Sequence, residues 1–327
     1  MRVFDIDRRV VAVVTGLLLV AAASRADEPR LDPNVSPTFQ AVDLNLDADQ
    51  ENYTGSVRIE LRVAQPARDF LFHAEEMTID AATLEGKAGA VPIEITDAGD
   101  RGTRRATPKG ALAPGDYVLS IRFSKPYNTR AVGLYRVHHE GRHYLFTQME
   151  SLDCRKAFPC WDEPAYKIPW QMTITVPLQQ EAVSNAPVEK ESRAAATKTL
   201  VFKRMPPTSS YLIAIAAGPL ESVPITGLSV PGRIYTVKGA KALAKHGASI
   251  TPRILARLEQ YFGTKYPYEK LDFIAIPEYW PGAMENPGAV TFSDKILLID
   301  PAAASTTQKR SVAMVTTHEL AHMWFGN

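Results

Sequence analysis

The chain has 327 residues, 45% of them apolar and 22% charged, with a formal net charge of +1. That composition excludes a disordered or fibrous chain, and the interspersed acids and bases give no electrostatic reason for a nucleic acid or an anionic membrane as partner. Two domains are the natural expectation, because single hydrophobic cores stop growing near about 250–300 residues.

At the start, Arg2, Arg8 and Arg9 precede an apolar run over 10–23, and Ser24 and Ala26 stand before Asp27 and Glu28. A basic start, a short apolar centre and a small-x-small cut site predict a secretory signal peptide over 1–26. The mature protein is then extracytoplasmic, periplasmic or secreted, without strong membrane association. An uncleaved membrane anchor is the alternative, although the run is shorter than the roughly 20 residues that span a bilayer.

From about residue 37 to 220, short alternating segments are broken by turn residues. Residues 57–63, 117–123 and 170–176 alternate apolar with polar side chains, the pattern of half-buried strands. This predicts an all-β domain over 27–222, sandwich-like or saddle-like. Cys154 and Cys160 are the only cysteines. A local disulfide and a pair of buried thiols both fit their spacing. Trp161, Asp162 and Glu163 lie between Pro159 and Pro164, which favours a structural turn at the domain interface over a catalytic acid pair.

The character changes in 223–327. Residues 234–237 read as a strand. A helix follows over 240–262, with Leu243, Ile250, Ile254, Leu255, Leu258 and Tyr261 at helical spacing and Gly263 and Pro267 as stops. Strands are predicted at 271–276, 290–292 and 296–299. A last helix is predicted from Ser305, an N-cap, to Phe325.

That last helix carries His318-Glu319-Leu320-Ala321-His322. Residues four apart lie on one helix face, so His318 and His322 can point two imidazoles at one metal ion, the use a tetrahedral zinc makes of such a pair. Glu319 sits beside the ion, where it can move a proton between a water and a leaving amine. The competing reading is an ordinary surface helix with two histidines. The motif by itself specifies metal-assisted hydrolysis and leaves open whether a peptide is cut internally or trimmed at its end.

Gly282-Ala283-Met284-Glu285-Asn286 lies between two predicted strands. Gly282 and Ala283 let a peptide backbone approach closely, and Glu285 could meet a cationic α-amino group. The segment also fits a plain turn carrying one acid.

Taken together, residues 282–286 and the run His318-Glu319-x-x-His322-x-Trp324-Phe325-Gly326-Asn327 resemble the aminopeptidase N family of zinc exopeptidases. Thr147-Gln148-Met149-Glu150 and the Ala-Phe-Pro-Cys-Trp-Asp-Glu-Pro block at 157–164 resemble the same family in the same order. The resemblance covers nearly the whole mature chain. It implies that His318 and His322 ligate one Zn2+ and that Glu319 is the general base. Glu285 and Glu150 would hold the substrate's N-terminal ammonium, with Gln148 beside the first side-chain pocket. Gly282, Ala283, Met284 and Asn286 would form the rest of the substrate-binding surface. The implied partners are peptides with a free N-terminus. The implied fold is a β-rich N-terminal domain followed by the start of an α+β thermolysin-like catalytic domain.

The family's third zinc ligand, a glutamate, and a tyrosine that stabilises the tetrahedral intermediate would fall beyond Asn327. The expectation for this chain is therefore the front portion of the enzyme, inactive or nearly so. An epoxide-hydrolysing relative and a non-enzymatic peptide-binding module are the alternatives.

Overall fold

The computed structural model describes residues 30–99 and 101–327; the predicted signal peptide lies outside the described residues. Strand alternation converts directly into a buried face. In Asn52–Val63, Tyr53, Val57, Ile59, Leu61 and Val63 point inward while Arg58 and Arg62 face solvent. This strand pairs antiparallel with Val35–Asn45 on one side and Gly115–Pro126 on the other. Val35–Asn45 continues into Trp170–Pro177 through a parallel ladder, within an eight-stranded sheet.

Two smaller sheets complete the strand-rich part. One has three strands, Phe70–His73, Thr103–Pro108 and Ile93–Asp97. The other has four, in the order Glu181–Ser184, Ile215–Gly218, Arg142–Gln148 and Gly133–His139. The helical content described here is two 3-10 turns, Cys154–Lys156 and Ser210–Leu212.

Cys154 and Cys160 are buried and unbridged. Beside them, Trp161 stacks between Phe70 and Phe72. The Asp162 carboxylate accepts from Arg155 Nε at 3.0 Å and Ser210 Oγ at 2.6 Å. Both of its oxygens are engaged in buried bonds that hold the fold, which supports the structural role over acid–base work.

Beyond Gly218 a five-stranded mixed sheet takes over, in the order Glu221–Pro224, Arg233–Thr236, Asp272–Ile276, Ala289–Ser293 and Ala283–Met284. The middle three strands are parallel, and Asp272–Ile276 and Ala289–Ser293 are wholly buried, as expected for strands covered on both faces. Ala283–Met284 is a two-residue edge strand, antiparallel to its neighbour.

The predicted helix at 240–262 divides into a 3-10 turn, Lys241–Ala244, and an α-helix, Lys245–Phe262, ended by Gly263 at φ +71°. Its fully buried face is Gly247, Thr251, Leu255 and Glu259; of the predicted stripe, Leu255 is buried, Ile250, Ile254 and Leu258 pack half-buried against the same core, and Leu243 and Tyr261 are exposed. Ile250, Ile254, Leu258 and Tyr261 also line an open groove shared with Ala313 and Thr317 of the final helix.

The strand predicted at 296–299 does not form. Asp294–Leu297 is a short helix with Leu297 buried. A four-residue apolar run does not distinguish strand from helix, and the sheet edge next to Ala289–Ser293 is already taken by Ala283–Met284. The final helix runs Thr306–Ala321, four residues shorter than predicted. Its tail tightens into turns in which Met323, Trp324 and Phe325 donate to Leu320 and Ala321 carbonyls.

Residues 32–327 make one compact unit. One core cluster takes Tyr144, Phe146, Val183, Ala214 and Ala216 from the strand-rich part and Ile274, Ile276, Tyr279 and Ala289 from the mixed sheet. Among the described residues, no helix is long and apolar enough to cross a membrane.

Candidate active site

Ser305 starts the final helix with a capping box. Its hydroxyl accepts from Gln308 N–H, and the Gln308 side chain accepts from Ser305 N–H. From that fixed start, Met314, His318 and His322 fall on one face and Val315 and Glu319 beside it. His322 is the C-cap residue, yet it keeps right-handed helical angles of φ −57° and ψ −27°, so the four-residue spacing survives the helix end.

The two imidazoles converge. His318 Nε2 and His322 Nε2 are 3.3 Å apart. Two nitrogens each about 2.05 Å from a tetrahedral zinc are separated by about 3.3 Å, so the pair already has the edge length such an ion needs. The donor set suits zinc, and the ligand atoms of Glu285, Glu319 and His322 all lie within 4.8 Å of one another.

The opposite wall is the edge strand and its exits. An open cleft of about 520 Å³ is lined by Glu150, Pro281, Gly282, Ala283, Met284, Glu285, Ile296, Met314, Val315, His318, Glu319 and His322. Eight of the sequence-predicted site residues meet there. Gln148 and Asn286 do not line it. Gln148 is buried behind the wall, where its Oε1 accepts from the Tyr279 hydroxyl, and Asn286 Nδ2 donates to Thr291 Oγ1 at 3.3 Å. Sequence reasoning passed over Met314 and Val315, although four- and three-residue spacing from His318 marks both. It also passed over Tyr279, whose place behind the wall has no local signal.

Three carboxylates share this cleft, and among the described residues no Lys or Arg ion pair neutralises Glu150, Glu285 or Glu319. Burial, followed by repulsion from Glu285 and Glu150, pushes the Glu319 carboxyl up to about 8. Burial and then Glu285 also raise Glu150, against a lowering pull from His322. An unneutralised acidic cluster beside two imidazoles is an arrangement that favours cations. It can take both a metal ion and an ammonium group.

The peptidase M1 N-terminal domain pattern matches residues 36–212, and the peptidase family M1 domain pattern matches residues 247–327. The chain is 35% identical over 316 residues to Aminopeptidase M1-C of Oryza sativa subsp. japonica, covering 94% of this chain and 36% of the relative. It is 34% identical over 308 residues to the Puromycin-sensitive aminopeptidase of Caenorhabditis elegans, covering 91% of this chain and 32% of that protein. The chain thus spans about a third of the length of these curated relatives. Against Aminopeptidase N of Acetobacter pasteurianus it is 32% identical over 305 residues, which covers 91% of this chain and 85% of the relative. With the two domain patterns matched in order along its length, the chain belongs to the peptidase M1 family.

Proposed function

We propose that the protein is a zinc-dependent aminopeptidase and that this chain carries its amine anchor, its general base and two of its zinc ligands. The observation that carries the reading is the cleft itself: paired imidazoles 3.3 Å apart facing three carboxylates that have no Lys or Arg ion pair among the described residues. His318 and His322 would hold the ion, with a further ligand supplied from outside the described residues. Bound there, zinc would lower the pKa of a water towards neutrality and polarise the scissile carbonyl.

The remaining work falls to the chain's own groups. A cation beside Glu319 favours its ionised form, reversing the upward push of burial, so that the carboxylate can accept a proton from water and return it to the departing amine. Glu285 and Glu150 hold the substrate ammonium by charge-assisted hydrogen bonds. The edge strand Ala283–Met284 has one side unpaired and can accept an extended peptide by strand addition. Fixing the amine at a set place limits cleavage to the first peptide bond.

The test uses the protein expressed from its complete gene. Metal analysis should find about one zinc per chain, lost in His322→Ala. Glu319→Gln should keep the zinc and lower kcat on an alanyl chromogenic amide by about a thousandfold. Acetylating the substrate's amine should abolish turnover. Equal cleavage of free and acetylated peptides would instead establish an endopeptidase and remove the anchor role from Glu285 and Glu150. Export is part of the same proposal: N-terminal sequencing of the mature protein should begin at Asp27, and retention of Met1 would refute the signal peptide.

A further inference from the structure

The amine anchor draws on two parts of the fold. Glu150 follows the strand Arg142–Gln148 of the strand-rich part, whereas Glu285 leaves the two-residue edge strand of the mixed sheet. Their separation therefore depends on what fixes one part against the other: near Glu150 the Gln148–Tyr279 hydrogen bond and the shared core, and near Glu285 the contacts of residues 285–288. The edge strand supplies little, because only Ala283 and Met284 are in its ladder.

Asn185 lies at that junction. It follows the strand Glu181–Ser184, is only 4% exposed and lines no part of the cleft. Its Nδ2 donates to Leu212 O at 2.9 Å and to Pro287 O at 3.0 Å, and its Oδ1 accepts from Ala214 N–H at 2.8 Å. One side-chain amide thus ties a strand-rich segment to the carbonyl two residues past Glu285, with both of its donors used. Its backbone is as close: a Cβ on Gly288 would come within 2.1 Å of Asn185 O. Glycine is needed there, both for φ +71° and for this approach.

The segment has other holds, but they come from its own half. Asn327 Nδ2 donates to Glu285 O at 2.9 Å, and Lys270 Nζ donates to Gly288 O at 3.0 Å. Neither relates Glu285 to Glu150. The Asn185 amide does, because its other bonds end on the Ser210–Leu212 turn and on Ala214, and Ile215–Gly218 pairs with the strand leading to Glu150.

We propose that Asn185 is a positioning residue for the amine anchor: from the strand-rich part it holds the 285–288 segment so that Glu285 and Glu150 face one ammonium. The inference rests on the aminopeptidase reading and adds a residue that touches neither substrate nor metal. Losing the amide should loosen the segment and weaken ground-state capture of the amine, while Glu319 and the two histidines, on a separate helix, keep their places.

The experiment compares Asn185→Ala with Ser184→Ala in the protein from the complete gene. Ser184 is the adjacent buried residue, and its hydroxyl donates to Ala214 O at 2.9 Å, so its loss costs a similar bond without reaching residues 285–288. Hydrogen exchange of peptides covering 282–288 should speed up in Asn185→Ala and stay at wild-type rates in Ser184→Ala. KM for a free-amine substrate should rise about tenfold in Asn185→Ala with kcat within about threefold of wild type. Unchanged exchange in Asn185→Ala, faster exchange without a rise in KM, or an equal KM in the two variants overturns the proposal. If Asn185→Ala does not fold, Asn185→Ser, too short to reach both carbonyls, is read against the same outcomes. Wild-type discrimination between free and acetylated substrates is measured alongside. Its absence refutes the aminopeptidase reading itself, whereas its presence with an unmoved KM refutes only the role of Asn185.

Discussion

His73 shows how burial decides the chemistry of a single side chain. It is 3% exposed, and its Nδ1 accepts the Asp162 N–H at 3.2 Å. Burial, then the Arg155 guanidinium, push its pKa from 6.5 to about 3. The unfolded chain therefore binds a proton below pH 6.5 that the folded chain refuses, and stability falls as pH drops from about 6.5 towards 3. The full effect is on the order of 5 kcal/mol, at about 1.4 kcal/mol per unit. Asn at this position keeps an acceptor and cannot be protonated, so His73→Asn should flatten the pH dependence of urea midpoints between pH 4 and 7; an unaltered slope would contradict this assignment. At this scale His318, Glu319 and His322 were legible in the sequence from their spacing, and Glu150 and Glu285 through the family resemblance. Asn185 and Tyr279 were not, because a hydrogen bond between residues 102 or 131 positions apart leaves no local pattern.

The final helix is the element on which the site depends. Its start was legible: Ser305 and Gln308 spell a capping box, and both bonds form. Ser305→Ala should cost about 1 kcal/mol and lower Tm by about 2 °C, since it orphans a donor at the first turn. No change in a thermal scan would mean that the helix start is held by packing alone. The helix end was less legible. Trp324 stacks on Phe262 and donates to Thr264 Oγ1 at 2.9 Å, contacts with the end of Lys245–Phe262 and the turn after it that hold the tail beyond the regular winding. The 296–299 run failed for a related reason: its residue types allowed a strand, and the occupied sheet edge did not.

Across the whole molecule, the strand-rich part and the mixed sheet share one core, with Tyr144 and Phe146 packed in the cluster that contains Ile274 and Ile276. Such a shared core couples their stabilities. Urea unfolding followed by fluorescence from Trp161, in the strand-rich part, and Trp324, beside the final helix, should give coincident transitions in single-tryptophan variants. Separated midpoints would show that the shared cluster contributes little.

The sequence by itself determined the local matters: strand faces from period-two alternation, the capped helix, the two histidines on consecutive turns, and the family to which the chain belongs. Tertiary structure alone decided that Gln148 and Asn286 lie behind the cleft wall and that Asn185 ties that wall to the strand-rich part. The physical reason is range. Periodicity and capping act over a few residues of chain, whereas a cleft is made by packing between segments far apart in sequence, whose encounter no local pattern records.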